Sequence, residues 1–319
     1  MTVSIRGEAS TTPPCVPPRA ATPQNGSMDR DVLTVSGVRD RLGKALFSRV
    51  AGPDGPANRA RIHNTPGPRW FGADRPIRVV HGDASMFIGG LRALLLQSLH
   101  PLAMAAVAAH SGYRGDPWGR LQRTSTFLAV TTFGTADDAR SAVERVRAIH
   151  EQVKGMTAEG EHYQASDPHL LEWVHITETD SFLRAHERFG ARPLASTDYD
   201  AYVADTAKVA TALGVPDPPR TRSDLEARLA AYRPELRATP ECRATARFLL
   251  VHPPLPLAAR PAYALLAANA VTSLPEWARR LLGLPRVPVL DDLAIPLTGH
   301  VLTRAIRWSM SPPPSADAR

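Results

Sequence analysis

Cysteine is nearly absent from this chain of 319 residues. Cys15 lies in a Pro/Thr-rich stretch and Cys242 in an arginine-rich helical segment. Two such residues make neither a disulfide framework nor a cysteine-based zinc site. Lysine is almost as rare. Only Lys44, Lys154 and Lys208 occur, so 38 − 3 leaves 35 arginines among the basic residues. They are spread along the chain, and no basic run alternates with aromatics as a single-strand platform requires. Nucleic-acid binding is therefore not expected, despite a net charge of +7. Aromatics make up 6% of a chain that is 43% hydrophobic, and alanine and leucine fill the long periodic segments, which favours helix over strand.

Clean hydrophobic runs are also missing. Leu91 to Ala109 is interrupted by Arg92, Gln97, His100 and Pro101, short of the roughly 20 residues a bilayer span needs. Pro261 to Leu274 is shorter still. The N-terminus to about Met28 carries Thr11-Thr12-Pro13-Pro14 and Pro17-Pro18 but no apolar core of signal-peptide length. The expectation is a soluble, cytoplasmic protein without a transmembrane segment, with peripheral membrane contact left open. HExxH, Gly-x-Ser-x-Gly, the Walker pattern and the dinucleotide fingerprint are all absent.

What is present reads as an all-α protein, a single multi-helix bundle. Residues 1–30 are a Pro/Ser/Thr-rich tail expected to be disordered, 31–68 a short helix with Gly/Pro-rich loops, 69–312 the helical body, and 313–319 a second disordered end. A helix from Ser85 to His110 is expected to kink at Pro101, with His100 at the kink. Asp116-Pro117 and Asp167-Pro168 are helix starts, with aspartate at the cap and proline in the first turn. Gly134 reads as a left-handed stop, Thr135 with Asp138 as a capping-box-like restart, and Gly155 as the end of that helix. Gly283 reads as the stop of a short amphipathic helix from Pro275 to Leu282. No run of alternating strands is evident.

Two segments concentrate the chemistry. Arg120, Arg123 and Thr124 share one helix, with Arg120 and Thr124 four apart on one face. On the next helix Ala139, Val143, Val146 and Val153 form an apolar stripe whose gap is filled by His150, so His150 faces the core. A lone histidine on an apolar face is usually a hydrogen-bonded core residue. Two arginines nearby, however, are costly to bury without an anionic partner. Haem meets both demands, since guanidinium pairs with propionates and neutral imidazole ligates iron. Salt bridges from the arginines to Asp116, Asp137 or Asp138 fit the spacing equally well. A non-haem metal held by His100, His110 and His150 is a weaker second chemistry.

Longer motifs carry a resemblance. Leu94-Leu-Leu-Gln97-Ser-Leu-His100-Pro101, then His110-Ser111-Gly-Tyr-Arg-Gly-Asp116-Pro117-Trp-Gly-Arg120-Leu-Gln-Arg123-Thr124, resembles the DUF2236 family, named also for the MpaB oxygenase and the rubber oxygenase called latex clearing protein. Val146-Arg147-Ala-Ile-His150-Glu-Gln-Val153-Lys-Gly155, Tyr163-Gln-Ala-Ser-Asp167-Pro168 and Leu170-Leu-Glu-Trp173-Val174-His175 extend it in the same order, over roughly residues 75 to 250. The resemblance implies a globin-like helical core around a haem pocket, and O2-dependent oxidation of a hydrophobic, isoprenoid or lipid-like substrate by haem b iron. By position it makes His150 the axial iron ligand, and Arg120 and Thr124 polar residues around the haem. Arg123 falls where rubber-cleaving members carry a distal lysine, which counts it among the catalytic candidates and marks a departure. Rubber oxygenases are secreted and fungal MpaB proteins membrane-anchored, and the lack of either signal here argues against latex as substrate. The reading from another class is a non-catalytic haem-binding or gas-sensing protein.

Overall fold

The computed structural model describes residues 35–112 and 115–310, so the expected tails at 1–30 and 313–319 lie outside the described residues. The chain divides into two compact units, Met1–Val38 and Arg39–Arg319, and every candidate site residue belongs to the second.

Helices dominate the described residues, as composition predicts. In order they are α1 (Val35–Ala51, which begins in the first unit), α2 (Gly55–Asn64), α3 (Pro76–His81), α4 (Met86–Gln97), α5 (Pro101–His110), α6 (Pro117–Phe133), α7 (Ala136–Gln152), α8 (Pro168–Phe189), α9 (Ser196–Leu213), α10 (Arg222–Ala231), α11 (Pro240–Leu250), α12 (Arg260–Thr272), α13 (Glu276–Leu282) and α14 (Ile295–Met310). A short 3-10 turn, Arg233–Glu235, follows α10.

The helix starts read from sequence are built as expected. Asp116 accepts from the Gly119 amide at 2.8 Å, Asp167 from the His169 amide at 2.9 Å, and Thr135 from the Asp138 amide at 3.1 Å. Each satisfies a backbone donor that a first helical turn leaves orphaned.

Three local expectations are corrected. Pro101 does not kink one helix; it starts a second, and α4 and α5 diverge by 108°. The residue before a proline avoids the helical region, and His100 is extended at φ −87°, ψ 118°. Gly134 is not left-handed but extended (φ −74°, ψ 177°). The next residue must be an extended cap, and a distant segment pairs there: Arg69 bridges Thr135, and the Ala136 amide donates to the Pro68 carbonyl at 2.7 Å. Gly155 ends no helix. It sits in β1 (Lys154–Met156), antiparallel to β2 (His162–Gln164) with Gly155 opposite Tyr163.

α4 and α8 form the centre. Ile88, Leu95, Leu96, Trp173, Ile176 and Leu183 are fully or almost fully buried, each worth about 1.5–3 kcal/mol of burial. Gly89 permits the close approach: a Cβ there would stand 2.8 Å from the Phe182 ring and 3.0 Å from the Ser181 carbonyl. Within this layer Arg92 pairs with Asp180 at 2.7 Å, with side chains only 2% and 5% exposed. Arg92 also donates to Ser181 Oγ (2.7 Å) and to the Ser273 carbonyl (2.9 Å), tying the end of α12 to both helices.

Candidate functional site

α6 and α7 are a helical hairpin joined by Gly134 and Thr135. Counted from that connector, Arg120 stands 134 − 120 = 14 residues before it and His150 stands 150 − 135 = 15 after it, at matching distances along their helices. The connector end is firmly held. Thr131, Thr132, Ala136, Ala139 and Val143 are buried, and Arg69 donates to the carbonyls of Phe133, Ile62 (2.9 Å) and Thr65 (3.0 Å). Toward the far end no residue of α6 before Thr131, nor of α7 after Val143, is buried.

At that far end the predicted residues separate in environment. His150 is half-buried, and its Nδ1 is shielded from solvent without a hydrogen-bond partner. Burial holds its ring below the ordinary histidine value, so it is a neutral imidazole at neutral pH. Arg120 is half-buried, and its guanidinium donates to Ser111 Oγ at 3.0 Å, linking α6 to the end of α5. Thr124, one turn on, is exposed. Arg123 is exposed and pairs with Asp116 at 3.4 Å, the salt bridge that its spacing allowed.

A polar seam that the sequence did not announce runs through the interior beside this hairpin. Thr132 of α6 shares a hydrogen bond with His81 Nδ1 at 2.8 Å, and His81 Nε2 approaches the Tyr202 hydroxyl of α9 at 3.3 Å. On α8, His175, Glu178, Thr179 and Phe182 share one face at helical spacing, and Phe182 meets His81 edge-on at 5.5 Å. His175 Nε2 is buried without a partner. Desolvation lowers His81 to about 3 and His175 to about 4, and raises Glu178 to about 7. A carboxyl poised near 7 can hold or release a proton at neutral pH. Its signal in the sequence is the polar run Thr177-Glu178-Thr179-Asp180, set between the apolar residues Ile176 and Phe182 of α8.

The donor types at this end are those a haem site uses, and the observation that fits is the His150 nitrogen. A neutral imidazole with a solvent-shielded, unpartnered nitrogen stands on a half-covered apolar wall, and an arginine and a hydroxyl lie on the facing helix. The other metal grouping considered, His100 with His110 and His150, is not formed. Among the described residues His100 converges instead with His169 and Glu235, while His110 lies 3.3 Å from the Tyr163 hydroxyl.

Comparison with known families matches residues 78–308 to the family described as "ER-bound oxygenase mpaB/B'/Rubber oxygenase, catalytic domain". The chain belongs to this mpaB/rubber oxygenase family. The match runs from α3 into α14 and takes in the α6–α7 hairpin and the whole polar seam. The family's domain is an oxygenase catalytic domain, which supports an oxidoreductase-type enzyme. Similar proteins include "Uncharacterized protein Mb2261" of Mycobacterium bovis and "Uncharacterized protein Rv2237" of Mycobacterium tuberculosis, each 35% identical over 101 residues, 32% of this chain. The aligned stretch spans 39% of those relatives' length. No solved structure matches. Among the described residues no single helix is long and apolar enough to cross a membrane.

Proposed function

We propose that this member of the mpaB/rubber oxygenase family is a haem b-dependent oxygenase acting with O2 on a small hydrophobic substrate of isoprenoid or lipid-like character. The observation that carries the reading is His150, a neutral imidazole with a shielded and unpartnered nitrogen at the open end of the α6–α7 hairpin, inside the family match. In this reading the pocket lies in a globin-like core at the open end of that hairpin.

Haem iron would supply the activation of O2, which no side chain of this chain can supply by itself. His150 would hold the iron, and Arg120 would pair with a haem carboxylate. Thr124 would offer its hydroxyl on the same face as Arg120. Glu178 would keep a proton available at neutral pH beside His175. The apolar residues of α4 and α5, between Leu91 and Ala109, would exclude water and receive the substrate. Arg123 is a cation where rubber-cleaving relatives carry lysine, so a side chain capping the iron from that position would be a guanidinium. Peripheral membrane contact also has a face to use, since Leu290, Leu293, Leu297, Val301 and Trp308 are exposed at helical spacing along the C-terminal segment.

The test is the absorption spectrum of purified protein supplied with haem, for wild type, His150→Ala and His175→Ala. A Soret band is expected in wild type and in His175→Ala and not in His150→Ala. A wild type without the band removes the haem reading, and a band unchanged in His150→Ala removes that residue as ligand. Oxygen consumption with isoprenoid or lipid candidates then separates an oxygenase from a haem-binding or gas-sensing protein.

A further inference from the structure

The corner where α4 gives way to α5 brings together three donors that the oxygenase reading does not use. His100 occupies the corner, His169 is the second residue of α8, and Glu235 closes the 3-10 turn after α10. Their ligand atoms all lie within 4.8 Å of one another. Glu235 Oε2 is 2.7 Å from His169 Nε2 and 3.3 Å from His100 Nε2.

His100 is the unexpected member. It is 2% exposed, neither ring nitrogen makes a well-formed hydrogen bond, and the nearest charged group to Nε2 is the Glu235 carboxylate at 3.3 Å. A buried imidazole with both nitrogens unsatisfied is costly in a folded protein. The Glu235 oxygen already shares a hydrogen bond with His169 Nε2 at 2.7 Å, and an ion replacing that bond would give His100 Nε2 a partner too, with all three atoms directed at a common fourth. In a tetrahedral zinc site, bond lengths near 2.0–2.2 Å put neighbouring ligand atoms about 3.3 Å apart. The His100 to Glu235 separation is already there, and the shorter His169 to Glu235 contact lies between two half-exposed side chains with room to open.

The surroundings fix the donors as a metal site requires. Tyr232 stacks on His169 at 4.4 Å and hydrogen-bonds its carbonyl at 2.8 Å. The Arg237 amide donates to the Leu99 carbonyl at 3.0 Å, holding the segment after Glu235 against the corner. The nearby cation of Arg237 turns its guanidinium to Glu161 at 3.2 Å.

We propose that His100, His169 and Glu235 bind a divalent transition ion of the zinc type, with the remaining coordination position open to solvent on the side of His169 and Glu235. Two imidazoles and a carboxylate are the ligand set of three-residue zinc sites and of non-haem ferrous sites. The ion would clip the start of α8 to the α4–α5 corner and to the turn after α10. The site shares no residue with the proposed haem site, so either proposal can fail alone.

The experiment uses full-length protein stripped with a chelator and titrated calorimetrically with Zn2+ alone, with Co2+ as a spectroscopic probe. One ion per chain is expected, with Co2+ giving the visible bands of a low-coordinate site. His169→Ala and Glu235→Gln, both at half-exposed positions, should weaken binding about tenfold or more while circular dichroism and thermal unfolding of the stripped protein stay unchanged. His150→Ala should bind Zn2+ like wild type. No stoichiometric binding, equal affinity in His169→Ala and Glu235→Gln, or loss of zinc in His150→Ala would each overturn the assignment.

Discussion

The α4–α8 pair and the α6–α7 hairpin differ in character and in finish: α4 is apolar nearly all round, whereas α7 carries charge along one side from Asp137 to Glu151. In α8, 13 of 22 residues are buried, and in α4, seven of 12; in α6 only Thr131 and Thr132 are, and in α7 only Ala136, Ala139 and Val143. The first pair closes on itself with side chains and buried hydrogen bonds. The hairpin closes only at its connector, and the apolar residues beyond it are left half-covered. On the proposed function, the incomplete wall of the hairpin is where a large planar cofactor would sit, with the completed α4–α8 layer as its rigid support.

The sharpest way to break the comparison is to cut the finished side. Arg92 and Asp180 are almost fully buried, and losing Arg92 would leave Asp180 with only the more distant, partly exposed Arg184 at 3.4 Å. Removing one partner of such a pair costs about 3–5 kcal/mol, because the remaining charge has no water to turn to. Arg92→Ala should lower unfolding free energy by about that amount in urea titrations, and it should fray α8 with α12, since the same guanidinium holds the Ser273 carbonyl. A loss below about 1 kcal/mol would mean that the pair is solvated, and that the α4–α8 layer is no tighter than the hairpin.

The polar seam between the two regions gives a pH-dependent test. Glu178 is raised to about 7 in the folded protein from an ordinary value near 4.5. Its contribution is therefore fully favourable below about pH 4.5 and is lost as pH rises through about 7. His175 and His81, depressed to about 4 and 3 from 6.5, act in the opposite sense. Their neutral forms support the fold above about pH 6.5, and that support is lost as pH falls toward the folded values. Glu178→Gln should stabilise the protein by roughly 2–3 kcal/mol at about pH 8, with the gain fading by about pH 5. Equal gains at both pH values would show that the carboxyl is not desolvated.

Much of this arrangement is legible in the sequence where the signal is local. Asp116-Pro117, Asp167-Pro168 and Thr135 cap the helices they announce, because a cap is decided within four residues. Gly283, with φ 68°, ends α13 as its position predicts. The features that sequence reading misplaces are settled in part by distant chain. Gly134 is extended because residues 68–69 dock beside it, and Pro101 breaks the chain where Trp173 Nε1 donates to the Gln97 carbonyl at 3.2 Å. For the site, helical phasing puts His150 on the inner stripe and Arg120 with Thr124 on one face. It does not find Glu178, since nothing in a polar run tells which member will be desolvated. Nor does it join His100, His169 and Glu235, which lie on three separate elements.

The smallest effect is expected at Arg123, and it makes the comparison cleanest because it sets one arginine ion pair against another. Arg123 and Asp116 meet at 3.4 Å with side chains 65% and 62% exposed, where Arg92 and Asp180 meet at 2.7 Å with almost none. Solvent screens the first pair, and holding two long side chains in register offsets much of what remains, so Arg123→Ala should change unfolding free energy by about 0.5 kcal/mol or less. A larger loss would place Arg123 in the support of the hairpin and not on its surface. If stability is unchanged but the spectrum of the haem-supplied protein shifts, the residue acts on the cofactor and not on the fold. Arg123→Lys then isolates the contribution of the guanidinium, because lysine keeps the charge and loses the planar fork.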